Sequence, residues 1–193
     1  MIEINNWNGR EIMEDKLLND EVISYIEYFH DCKIFKILRH FEVEGKEIDA
    51  ILYAKTKKRN LIRKIGIELK ENNVLNAIYQ AIERSKYFNY FYIITNVPFP
   101  GEEFRWLIIH HPDVLRKMVL NKVGIISVFS YEKGFTKGNI ILNLLPSKFN
   151  KNVIEIEYDK RIYEFLDNEK SKWHTLKCHS HRFNFKNMKK EKL

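Results

Sequence analysis

At 193 residues, 45% hydrophobic and 31% charged, the chain has material for one well-filled core and too little to make two large domains the default. Its formal net charge of +7 favours polyanionic partners, nucleic acid first among them. Two distant cysteines, Cys32 and Cys178, exclude a disulfide framework, and neither an apolar run of ~18 residues nor a signal-peptide pattern is present, so a soluble, cytoplasmic protein with no membrane partner is expected.

The first expected element is a helix from about Gly9 to Phe29, with Asn8 as its cap. Leu18, Val22, Tyr25, Ile26 and Phe29 gather on one face at helical spacing, with Glu11 in the middle of that face and Glu14 and Glu21 at its edge. The alternating run CKIFKILRHFEVEG then reads as a strand. KEIDAILYA and LIRKIGIELK follow as two more, joined across the basic turn KTKKRN as a hairpin. VLNAIYQAIERSKYF carries Val74, Ala77, Ile78, Ala81 and Ile82 at helical spacing, and YFYIITN is apolar throughout, as a strand buried on both faces should be. A strand, helix and strand in succession normally cross over with the two strands parallel, so a mixed sheet covered by helices is expected.

Beyond Pro98 the pattern is less decisive. EEFRWLIIHH fits helix or strand, and PDVLRKMVLNK is helical with Pro112 in its first turn. VGIISVFS and NIILNLL read as a further strand pair, and EYDKRIYEFLDNEKSKW as a late helix. The lysine-rich end, residues 184–193, reads as a disordered tail. The expected layout is one domain over 1–183, with a core at about 9–96 and an extension at 97–183.

The chemistry concentrates at the end of IGIELK. Side chains alternate across a strand, so Glu68 and Lys70 leave the same face. If the hairpin register sets Asp49 opposite, two carboxylates and an ammonium converge there, an arrangement costly in a dry core without a partner. A divalent cation is the natural partner, because carboxylate oxygens suit Mg²⁺ and leave coordination positions for water and phosphate. Lysine beside it could orient or deprotonate an attacking water and balance charge on a phosphate transition state. The plain alternative is a surface salt bridge worth ~0–1 kcal/mol.

At these residues the chain resembles the PD-(D/E)xK nuclease superfamily. Asp49 matches the acidic residue of that family's second core strand, and Glu68, Leu69 and Lys70 match its E-x-K. The resemblance covers roughly Gly9 to Asn96 and implies an α/β, restriction-endonuclease-like core of order αβββαβ, here with C-terminal additions. It further implies a nuclease using Mg²⁺ or Mn²⁺, with Asp49, Glu68 and the Leu69 carbonyl as metal ligands and Lys70 positioning the water. Glu11, with Glu14 as fallback, matches the helix glutamate of several members, and Gln80 the glutamine of others. Two departures stand out: Ile48 replaces the proline of the family name, and Arg84 stands where an exonuclease branch has tyrosine, with Tyr87 one turn later.

DNA is the expected substrate, with a homodimer if both strands are cut. Lys55, Lys57, Lys58 and Arg59 are candidates to grip its backbone beside the metal site, although a solvated turn has the same composition. His174, Cys178, His179 and His181 could ligate zinc but match no established spacing. Trp173, Arg182 and Phe183 offer base stacking or core packing, and His110 and His111 read as helix or strand ends. No phosphate loop or nucleophile elbow is present. The alternative to an enzyme is an inactive nucleic-acid-binding or assembly module of the same fold.

Overall fold

A computed structural model describes residues 13–71, 74–96, 100–133 and 136–166. The chain divides into two compact units, residues 1–154 and 155–193. The first contains a six-stranded mixed sheet flanked by helices. In the second, residues 157–166 form a helix where a late one was expected, and the Ile156 amide is capped by Asp159.

The expected helix at the start is broken. A 3-10 turn occupies Met13–Leu17, and α1 begins only at Asp20 and runs to Phe29. The reason is local: Asn19 adopts extended backbone and its side chain accepts the Val22 N–H at 3.0 Å. Asp20 and Glu21 follow in the first turn, where negative charge suits the helix dipole. Asn19, not Asn8, caps this helix. Leu18, Val22 and Ile26 are buried as their spacing predicts, whereas Phe29 is exposed.

Six strands follow in sequential order: β1 (Cys32–Val43), β2 (Lys46–Thr56), β3 (Ile62–Lys70), β4 (Tyr90–Thr95), β5 (Val123–Lys133) and β6 (Thr136–Leu145). Glu44 and Gly45 make the β1–β2 turn with both φ angles positive, 49° and 74°. Two-residue turns of that kind match the twist of the strands they join. β1, β2 and β3 pair antiparallel, while β4 lies parallel to both β3 and β5. The crossover from β3 to β4 carries α2 (Val74–Arg84), as expected. From β4 to β5 it carries α3 (Pro100–His110) and α4 (Pro112–Leu120), so EEFRWLIIHH resolves to helix.

Alternation gives the sheet two apolar faces. Ala50, Leu52 and Ala54 with Ile65, Ile67 and Leu69 join Val22 and Ile26 of α1 in one core. The opposite set, Ile51, Tyr53, Phe91, Ile93 and Ile125, is equally buried, and α2 packs against β3 and β4. Gly66 makes that second face possible. A Cβ there would stand 2.5 Å from Phe91 Cδ2 and 2.9 Å from Phe88 Cδ2. Among the described residues no helix is long and apolar enough to cross a membrane.

Candidate functional site

On β2, buried Ile48 shares a face with Ala50, which joins the core formed with α1, and this sends Asp49 to the other face. The β2–β3 register pairs Ala50 with Ile67, and one further step sets Asp49 opposite Glu68. Lys70 follows on the same face, half-buried at the end of β3. The convergence expected from the sequence is therefore present.

Glu68 is 2% exposed and lies in an ion pair with Arg84 of α2. Burial first, and the charge of Asp49 second, push its carboxyl up to about 7, although Arg84 and then Lys70 pull the other way. Asp49 is half-buried, and its Oδ2 accepts the Leu69 N–H at 2.6 Å. Leu69 was expected to serve through its carbonyl; the group seen at the site is its amide. Gln80 precedes Arg84 by one helical turn, on the same side of α2. Its buried Oε1 and Arg84 Nε have no hydrogen-bond partner among the described residues.

β1 adds a residue that the sequence pattern did not single out. Arg39 pairs with Ala50 and Phe41 with Ile48, which places His40 opposite Asp49. His40, Asp49 and Glu68 thus form one row across three strands. His40 has a left-handed backbone, φ 49°, inside the strand. Its Nδ1 lies 2.8 Å from Glu47 Oε1, and its Nε2 lies 3.1 Å from Asp15 Oδ2. Burial opposes charge on the ring, yet the hydrogen bonds and charges of Asp15 and Glu47 outweigh it, so the pKa is raised above the usual histidine value. One ligand atom each from His40, Glu47 and Asp49 fall within 4.8 Å of one another. Asp15 also lies 3.6 Å from Arg39, which bonds the backbone carbonyls of Asp15 and Leu18.

Other expected residues fall elsewhere. Glu11 lies outside the described residues, and Glu14 lies on the 3-10 turn. The basic tip is at the far end of the hairpin from Asp49: Lys55 and Thr56 end β2, and Lys57, Lys58 and Arg59 are exposed in the turn. Thr56 lies seven residue steps along β2 from Asp49, about 23 Å at the usual rise. The tip is therefore not beside the acidic pair, because the hairpin is extended. Lys57 instead sits 4.0 Å from Asp31. Tyr87 is buried and donates to Glu44 at the β1–β2 turn rather than approaching Glu68. The His174/Cys178/His179/His181 cluster, Trp173, Arg182 and Phe183 and the lysine-rich tail lie outside the described residues.

Two signals for these residues are present in the sequence. The Glu44–Gly45 turn fixes the β1–β2 register, and that register selects His40. The Asn-Asp-Glu run at residues 19–21 marks the true helix start, and so frees Asp15 from the helix. No protein-family model matches the chain, and no curated protein matches it in sequence.

Proposed function

We propose that the first unit has a restriction-endonuclease-like core and is a divalent-metal-dependent nuclease hydrolysing phosphodiester bonds, with DNA as substrate. One observation carries the reading: Asp49 and Glu68 oppose each other on neighbouring strands, with Lys70 two residues on, at a corner where Glu68 is 2% exposed. The net charge of +7 adds the attraction that a polyanion needs.

The residues present fit Mg²⁺ or Mn²⁺. Both carboxylates are hard oxygen donors, and the charge of Asp49 raises the cost of ionising Glu68, a repulsion that a bound dication relieves. When bound, such an ion supplies Lewis acidity and a more acidic water. Asp49 and Glu68 would hold it, with the Leu69 amide fixing the Asp49 carboxylate in place. Lys70 holds the attacking water against the phosphate and opposes the charge that builds there. Gln80, whose buried oxygen has no hydrogen-bond partner among the described residues, orients a water or a sugar-phosphate hydroxyl. Cutting both strands of a duplex calls for a second copy of the site, hence a homodimer, and a DNA substrate fits the cytoplasm.

A second reading has an observation of its own. Arg84 already gives Glu68 a cationic partner, as expected of an inactive module that keeps the fold and the basic charge. One experiment separates the two: a labelled panel of duplex, single-stranded, flapped and four-way-junction DNA with Mg²⁺ or Mn²⁺, comparing wild type with Lys70→Ala. Cutting that the variant loses establishes the nuclease. Binding without cutting on every member establishes the inactive module.

A further inference from the structure

We infer that His40, Glu47 and Asp49 form a second cation site, selective for a first-row divalent transition metal over Mg²⁺ or Ca²⁺. It uses Asp49 in common with the proposed nuclease site, but rests on its own geometry and does not depend on cleavage. Three side chains from two paired strands bring one nitrogen and two carboxylate oxygens within 4.8 Å of one another. The sheet itself makes this arrangement: His40 faces Asp49 across the β1–β2 ladder, and Glu47 lies two residues before Asp49 on the same face.

The spacing suits coordination. Two ligands each ~2.1 Å from a metal and at right angles to one another are ~3.0 Å apart. His40 Nδ1 and Glu47 Oε1 are 2.8 Å apart, so exchanging the proton between them for a cation needs only a slight spreading. Asp15 completes the arrangement from behind. A ligating histidine normally gives its other ring nitrogen to a carboxylate, which fixes the tautomer and raises the basicity of the ligating nitrogen. His40 Nε2 has that contact with Asp15 Oδ2 at 3.1 Å. Asp15 is held in turn by Arg39.

The donor set decides the class of ion. Carboxylates alone suit Mg²⁺, Ca²⁺ and Mn²⁺, whereas an imidazole moves preference toward Co²⁺, Zn²⁺ and their neighbours. Mn²⁺ is compatible with both this set and the all-oxygen pair of Asp49 and Glu68, so Mn²⁺ can occupy both sites while Mg²⁺ is confined to the Asp49–Glu68 pair. The competing account of the same contacts is a protonated His40 clamped between Asp15 and Glu47, with no metal at all.

Co²⁺ titration of the full chain, followed by its visible absorption, separates the two accounts. Wild type should bind one more equivalent than His40→Gln and than Glu47→Gln, and excess Mg²⁺ should not displace that equivalent. Asp15→Asn should keep it with affinity weakened about 10–100-fold. Glu47 is 62% exposed at its side chain, so Glu47→Gln tests the site even if His40→Gln does not fold. Equal Co²⁺ stoichiometry and affinity in wild type and Glu47→Gln would overturn the inference. Glu68→Gln separates it from the nuclease reading: that variant should retain the extra equivalent, and its loss there with retention in Glu47→Gln would move the ion to the Asp49–Glu68 pair and also overturn the site.

Discussion

Arg84 of α2 and Glu68 of β3 are ion-paired across the helix–sheet interface, yet the carboxyl is still pushed up to about 7. The pair therefore does not fully offset what burial and Asp49 impose. A counter-charge built into the fold lowers the cost of keeping a buried acid but leaves it poised to accept a better partner.

The sign of the resulting pH dependence follows from linkage. A carboxyl pushed from 4.5 up to about 7 holds its proton more tightly in the folded chain, so its contribution to stability is fully present below pH 4.5 and is lost as pH rises through 7. Glu68→Gln, neutral at every pH, should match wild type in acid and exceed it by roughly 1–3 kcal/mol above pH 7. Denaturant unfolding with a chelator present measures this. A gain that does not change with pH would show that the charge on Glu68 is not the cause.

Removing Arg84 should act in the opposite direction. Arg84→Met leaves Glu68 buried without its ion pair, a loss of about 3 kcal/mol when the carboxylate is ionised. The loss should shrink in acid, where Glu68 carries a proton. Melting curves across pH test it, and an equal loss at all pH values would point to packing alone.

Gly66→Ala should destabilise the unit by about 1–3 kcal/mol, since the added methyl meets the Phe91 ring, which faces β3, and the Phe88 ring beside it. A Phe91→Leu partner substitution should recover part of the loss. Calorimetry of the single and double variants reads the coupling, and strict additivity would contradict it.

If the proposed DNA substrate is right, replacing Lys57, Lys58 and Arg59 together by alanine should weaken binding and flatten its salt dependence by ~0.9 log units for each phosphate no longer neutralised. The cleavage rate at saturating DNA should stay unchanged, because the tip lies about 23 Å along the hairpin from Asp49. A drop in that rate would place the tip at the chemistry after all.

Cys32 is buried, and its thiol is pushed up to about 11, first by burial and then by Glu27. In a Cys178→Ser variant it should resist thiol reagents until the chain unfolds. Labelling at native and denaturing conditions settles this, and rapid native labelling would show an opening that exposes α1's contact with the sheet.

Much of the architecture is legible in the letters. Alternation in CKIFKILRHFEV and KEIDAILYA, and the spacing of Val74, Ala77, Ile78 and Ala81, mark the strands and α2 because burial on one face dictates those periods. Asp49 and Glu68 are legible for the same reason: a charge among apolar neighbours stands out. The helix start at Gly9 is misleading, because the apolar face of 18–29 extrapolates backward through Asn19 unless the cap is recognised. EEFRWLIIHH is ambiguous because Trp106, Ile108 and Ile109 are all exposed around the buried Leu107, and a single buried position among exposed apolar ones marks no period. The role of Arg84 is hidden because it depends on the docking of α2, and His40 becomes legible only once the Glu44–Gly45 turn is used to set the β1–β2 register.

Every side chain of the row and its helix partner, His40 through Arg84, comes from one uninterrupted stretch of three strands and a helix, with consecutive strands adjacent in the sheet. Structure built from sequence neighbours closes short loops first and so forms early in folding. Strands at the edge of a sheet exchange their amides sooner than central ones. The amides of β2 and β3 should therefore outlast those of β6 in deuterium exchange, leaving the acidic pair in place while the far edge breathes.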